Sequence, residues 1–235
     1  MSSSGTTLHS ETFSIVAVGQ FNPAIFQPSW LAKNNLIRDE EAESAKVRLI
    51  SGEVAIVDGA WFSLQVTSER FALESLDPVQ NLAARDLAVG VFKILEHTPL
   101  NAIGLNVSKH YQLESESTWH QFGDYFAPKE LWNTTMKNAG MRRLEIVGNV
   151  VYEGDEEIPI RIVLEPSKRP KQFGVLITIN HHYQKLQETS QTNAGDFIEL
   201  VSKNYGQFLE HVDETIIKIF SMYTEAKKRT NGKNG

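Results

Sequence analysis

Apolar and polar positions alternate along most of this chain, and two long stretches switch to a helical period. A first strand is read over Thr12 to Gln20, where Ile15, Val16, Ala17 and Val18 form a short apolar run that Phe21-Asn22-Pro23 stops. Ser29 caps a short helix that carries Trp30 and Leu31 inward. Val54, Ile56 and Val57 mark the next strand, and Asp58-Gly59 turns it into another, where Phe62, Leu64 and Val66 alternate with polar neighbours. Phe71 and Leu73 continue the pattern after a turn. Asp77-Pro78 then opens a helix ending near Pro99, with Val79, Leu82, Ala83, Leu87, Val91, Ile94 and Leu95 as its apolar stripe.

The second half repeats the plan. Ile103, Leu105 and Val107 return the chain as a strand to about Leu113; Ser115 to Tyr125 reads as a short aromatic-rich helix, and Pro128 starts another through Leu131 and Trp132. Three strands follow, carried by Leu144, Ile146, Val150 and Tyr152, by Ile158, Ile160, Ile162 and Leu164, and by Phe173, Val175, Ile177 and Ile179. A polar loop leads to a long helix from about Gly195 to Glu225. Its stripe includes Phe197, Leu200, Val201, Phe208, Leu209, Val212, Ile216, Ile219, Phe220 and Tyr223. Residues 1–11 and 226–235 read as flexible tails.

Meandering strands followed by helices predict an α+β fold, an antiparallel sheet with two long amphipathic helices on one face. The chain reads as a single unit with two packed halves, 12–113 and 114–225, and a βββα duplication is one reading of them. The echo of Ile103-Gly104-Leu105-Asn106 with His110-Tyr111 in Ile177-Thr178-Ile179-Asn180 with His182-Tyr183 favours duplication, although common α+β topologies also generate such patterns.

Composition narrows the function classes. Over 235 residues, 41% hydrophobic and 22% charged content suits a globular core rather than disorder. A formal charge of -6 repels phosphate backbones, so nucleic-acid binding is disfavoured. The chain has no cysteine, which removes disulfides, thiolate catalysis and cysteine-ligated metals. Met1 to Gly19 has no Lys or Arg and lacks a signal-peptide pattern, and no apolar run reaches the roughly 20 residues of a membrane span. A cytoplasmic protein with no membrane contact is expected.

Phosphate-loop, dinucleotide, nucleophile-elbow and zinc-protease signatures are absent. The candidate catalytic or metal-binding residues are His110, His120, Asp124, His181 and His182, since imidazoles and a carboxylate suit zinc or iron. His181 and His182 are neighbours on a strand and point to opposite faces, so no metal or other cofactor is expected. Trp119, Phe122, Tyr125 and Trp132 concentrate aromatic surface in one segment, as a ligand pocket or as a plug over the open end of the core. Lys168, Arg169 and Lys171 read as a solvated hairpin tip.

Ile103-Gly104-Leu105-Asn106, Trp119-His120 with Gly123, Ala127-Pro128-Lys129 with Trp132, Glu165-Pro166-Ser167 and Asn180-His181-His182-Tyr183 resemble a family of uncharacterised bacterial proteins. The resemblance covers about residues 100–185 and implies a bacterial, cytoplasmic protein; it supplies no activity and no catalytic residues.

The final helix would be about 45 Å long, whereas strands of five to eight residues span about 17–27 Å. Ile216, Ile219, Phe220 and Tyr223 are therefore expected to overhang the sheet and to pair with a second copy or a protein partner. The sequence expectation is a non-enzymatic binding or assembly protein acting through this helix. The alternative is a small-molecule-binding or metal-dependent enzyme using the histidine set.

Overall fold

The computed structural model describes residues 5–152, 157–184 and 193–231. The fold is α+β. Its strands are β1 (Thr6–Gly19), β2 (Lys46–Ile50), β3 (Val54–Asp58), β4 (Phe62–Thr67), β5 (Arg70–Ser75), β6 (Leu100–Leu113), β7 (Leu144–Val151), β8 (Glu157–Ser167) and β9 (Gly174–Gln184). They form one nine-stranded sheet in the order β2-β3-β4-β5-β1-β6-β9-β8-β7, with antiparallel neighbours throughout. The helices are α1 (Pro28–Lys33), α2 (Asp39–Ser44), α3 (Asn81–Ile94), α4 (Glu116–Phe126) and α5 (Ala194–Asn231).

Alternation assigns the two faces of the sheet. Phe13, Ile15 and Ala17 of β1, Phe71 and Leu73 of β5, Leu105 and Val107 of β6, and Ile177 and Ile179 of β9 are all buried. Against them lie α3, over β5 and β1, and α5, over β6 and β9, with the two helices in contact. Phe71 meets Phe92 of α3 at 5.0 Å and Phe26, just before α1, at 5.8 Å. Each such ring fully buried contributes about 1.5–3 kcal/mol relative to exposure. The intervening positions Thr12, Ser14, Asn106, Ser108, Thr178 and Asn180 form a polar, half-exposed face, opposite the one that α3 and α5 cover and free of helices among the described residues.

The two halves follow a similar order, with a meander of four strands (β2 to β5) in the first and three (β7 to β9) in the second. A long strand, β1 or β6, leaves through short helices. The chain then returns as a meander that closes on that strand, and a helix on the core face follows. One sheet runs through both halves because β1 pairs with β6 from Thr6↔Leu113 to Gly19↔Leu100.

That pairing corrects the expected N-terminal tail. Thr6 to Glu11 show little apolar alternation, yet β6 supplies a backbone ladder for them, with one register shift between Leu8 and Ser10. Residues 1–4 lie outside the described residues. At the other end, α5 runs past Glu225 to Asn231, over the good helix formers Ala226, Lys227, Lys228 and Arg229 and with no Gly or Pro before Gly232; the rest of the expected tail, 232–235, lies outside the described residues.

Asp77 caps a separate 3-10 turn, Pro78–Gln80, accepting a 3.0 Å bond from the Val79 amide, and α3 starts only at Asn81. The turn breaks the phase, so Val79, Leu82 and Ile94 are exposed while Ala84, Leu87, Ala88, Val91 and Phe92 face the core. The helix expected from Pro128 is one 3-10 turn, Lys129–Leu131, and both Leu131 and Trp132 stand exposed. Ile160 and Ile162 are half-buried, beside the sheet edge, while Val175 and Ile177 are buried. Among the described residues, no helix is long and apolar enough to cross a membrane.

Candidate functional site

Ser115 starts α4 by accepting the Thr118 amide at 3.2 Å. The helix then rests one face on α5 and β6: Phe122 is buried, 5.7 Å from Phe220 and 5.4 Å from Tyr223. Phe220 also meets Tyr111 of β6 at 5.0 Å. Ile216, Ile219 and Tyr223 are buried and Phe220 is half-buried within the chain. The end of α5 expected to overhang the sheet is thus covered by α4, and the four residues assigned to an interface are not left in water. The aromatic segment supplies a plug, through Phe122 and its neighbours.

The other side of α4 borders a cavity of about 520 Å³. Trp119, His120, Gly123 and Asp124 line it from the helix, Lys129 and Asn133 from the following turns, and Met141 from the approach to β7. Glu165 and Pro166 of β8 and Val175 of β9 complete the wall, together with Phe122. Trp119 is fixed by its Nε1 donating to the Gly174 carbonyl at 2.9 Å. Charges sit at the rim: Lys129 Nζ is 3.0 Å from Asp124 Oδ1, and Arg143 Nη1 donates to Glu165 Oε2 at 3.1 Å. Apolar walls with a few convergent polar groups are the usual make-up of a small-molecule site.

The sequence-read residues divide accordingly. Trp119 and Phe122 line the cavity. Tyr125 and Trp132 do not: Tyr125 turns toward α5, 6.2 Å from Tyr223, and Trp132 follows a single 3-10 turn that leaves it exposed. His120 and Asp124, one helical turn apart, both face the cavity. The other three histidines lie elsewhere. His110 shares the helix-free face with Asn106 and Ser108, its Nδ1 2.6 Å from Ser167 Oγ; burial, then the nearby Arg169 and His9, lower its pKa. His182 also lies on that face, 3.3 Å from Gln184 Oε1. Among the described residues no group of three or more His, Asp or Glu is placed to hold a metal ion.

His181 alone points into the core, and it anchors a network the sequence reading missed. Its Nδ1 lies 3.1 Å from the Tyr152 hydroxyl and its Nε2 2.9 Å from His211 Nδ1; His211 Nε2 lies 3.3 Å from Thr215 Oγ1. Tyr152 also donates to the Gln207 carbonyl at 3.3 Å. All links are satisfied with both imidazoles neutral: Thr215 donates to His211, His211 to His181, His181 to Tyr152 and Tyr152 to Gln207. Burial, then the neighbouring His211, lower the His181 pKa to about 3. The signal for His211 was its position beside Val212, with Thr215 four residues on, at the margin of the α5 stripe.

No known protein family matches the chain, and no curated protein matches it either.

Proposed function

We propose that this chain is a binding protein that takes a small molecule with an apolar body and a polar or charged end into the cavity beside α4. The observation that carries the reading is the cavity itself. Its volume of about 520 Å³ lies in the range of small-molecule sites, roughly 300–1,000 Å³. Trp119 and Met141 give it apolar wall, and the Lys129–Asp124 pair with Glu165 gives it charge of both signs at the rim. Trp119, His120, Gly123 and Lys129 are also among the residues of the bacterial resemblance, so that likeness and the cavity coincide. This reading moves binding from the α5 stripe, which the chain covers itself, to the opposite side of α4.

Gly123 provides the test. It lines the cavity, and a Cβ built there meets nothing within 4 Å, so Gly123→Leu fills the space without a clash at its first atom. A fragment library of aromatic acids and amines is screened by Trp fluorescence and calorimetry. The expected result is binding to the wild type that falls at least about tenfold, some 1.4 kcal/mol, in Gly123→Leu while the melting temperature holds. Equal binding by both proteins, or by neither, overturns the proposal. A fragment consumed rather than retained would assign catalysis to His120 and Asp124, the two ionisable candidates that share the cavity.

A further inference from the structure

The two edges of the sheet are built differently. β2 is short, five residues, carries Lys46 and Arg48, and has a register shift between Val47 and Leu49. Those are the devices that keep a sheet edge from pairing with another chain. β7 has none of them. It runs eight residues in unbroken register with β8, contains neither Pro nor Lys, and bears a single charge, Glu145. Among the described residues no strand pairs with its outer side. Ile146, Val147 and Val151 are 51%, 73% and 57% exposed. A long, regular, apolar edge of this kind is a template for a further strand.

The sequence of β7 indicates which strand. Laid antiparallel to itself about Gly148, Leu144 meets Tyr152 and Ile146 meets Val150 on the helix face, apolar against apolar at both positions. On the opposite face Val147 meets Asn149 and Glu145 meets Val151, so no charge meets its own copy. Glu145 keeps its counter-ions, Arg143 at 2.9 Å and Arg161 at 3.4 Å. Gly148 falls on the two-fold axis, where a Cβ would have open space around it. Moving the axis to Val147 sets Ile146 against Gly148 and loses an apolar pair. A foreign strand would require no such self-complementarity, whereas an isologous interface does.

We propose that two copies of this chain join through β7, antiparallel about Gly148, into one continuous sheet.

The full chain is tested by sedimentation equilibrium across the micromolar range. The expected result is a dimer that shifts to a folded monomer in Val147→Lys, since an exposed edge position tolerates lysine in the monomer, and that persists in Leu49→Lys on β2. Register is tested by oxidation, because the chain has no cysteine of its own. Gly148→Cys sets two thiols opposite each other at about 4.5–5.5 Å between Cα atoms, within disulfide reach. Asn149→Cys faces Val147 instead. The expected outcome is a covalent dimer from Gly148→Cys and far less from Asn149→Cys. A wild type that stays monomeric, a dimer indifferent to Val147→Lys, or equal cross-linking by the two cysteine variants overturns the proposal.

Discussion

His181 and His211 share one hydrogen bond, Nε2 to Nδ1 at 2.9 Å, between β9 and α5. The His181 ring is fully buried, edge-on to Phe208 at 4.8 Å. Burial lowers the pKa of both; His211 adds to the effect on His181, and Lys218, opposed by Glu214, to that on His211. The unfolded chain takes up protons on these imidazoles below about pH 6.5, whereas folded His181 resists down to about 3. For His181, stability is therefore complete above about pH 6.5 and lost as pH falls toward 3, at up to about 1.4 kcal/mol per pH unit; the lowered pKa of His211 adds a loss of the same sign. A proton on His181 Nε2 would set its N–H against the N–H of His211 Nδ1. Urea unfolding at neutral pH and near pH 4.5 measures the loss, and His181→Phe should flatten the pH slope. An unchanged slope in that variant would show that the pair is not the acid-sensitive element.

A largely buried charge joins four elements. Lys109 of β6 lies 3.0 Å from Glu11 of β1 and 2.7 Å from Asp213 of α5, and Asn81 of α3 donates to Glu11 at 3.2 Å. Burial presses the Lys109 pKa down, but Asp213 and Glu11 outweigh it and the net shift is upward. Lys109→Met leaves Glu11 in a largely buried place without its cation, at an expected cost of about 3–5 kcal/mol. Asp213 is mostly exposed, so Asp213→Asn should cost about 1 kcal/mol or less. Guanidinium unfolding separates the two. Adding Glu11→Gln to Lys109→Met should recover part of the loss, because it removes the stranded carboxylate.

The α5 stripe makes a prediction about stability. Ile219 is buried, and Phe220 packs between Tyr111 and Phe122. Ile219→Ala should cost about 2–5 kcal/mol in thermal or chemical unfolding. Ile219→Asp with Phe220→Asp should unfold the α4–α5 end. A soluble, fully folded double variant would mean that these side chains do not pack on α4.

The meanders were legible because Phe62, Leu64 and Val66, or Ile177 and Ile179, alternate against a single buried face. The central β1–β6 pair was not, since Thr6 to Glu11 owe their strand to a partner about a hundred residues away rather than to their own pattern. The face of α3 was misread because Val79 sits in a 3-10 turn ahead of the helix, out of phase with Leu87 and Val91. Aromatic density marked the segment from Trp119 to Trp132, of which Trp119 and Phe122 line the cavity. Composition alone could not separate Tyr125, on the α5 side of the same helix, nor reveal that Gly123 leaves the space open. Helix length suggested an overhang at Ile216 to Tyr223, but length does not say what else the chain folds over that end.

Two glycines should respond to alanine in opposite directions, and the contrast tests both the sheet centre and the cavity. A Cβ on Gly19 would stand 2.3 Å from the Pro99 carbonyl oxygen and 2.7 Å from Leu100 Cδ2. The backbone there cannot yield easily: the Gly19 amide donates to the Glu69 carbonyl and the Gln20 amide to that same Pro99 carbonyl, each at 3.0 Å. Gly19→Ala is therefore expected to destabilise by about 1–3 kcal/mol, the usual cost of overpacking. Gly123 lies inside α4 with its Cβ direction open, so Gly123→Ala meets no atom and removes the entropic cost of a helical glycine, a gain of about 0.5–1 kcal/mol. Paired denaturant titrations read both effects on one scale. A loss at Gly123 comparable to that at Gly19 would mean that the space beside α4 is already filled by the chain itself, and the cavity would then have no room for a ligand.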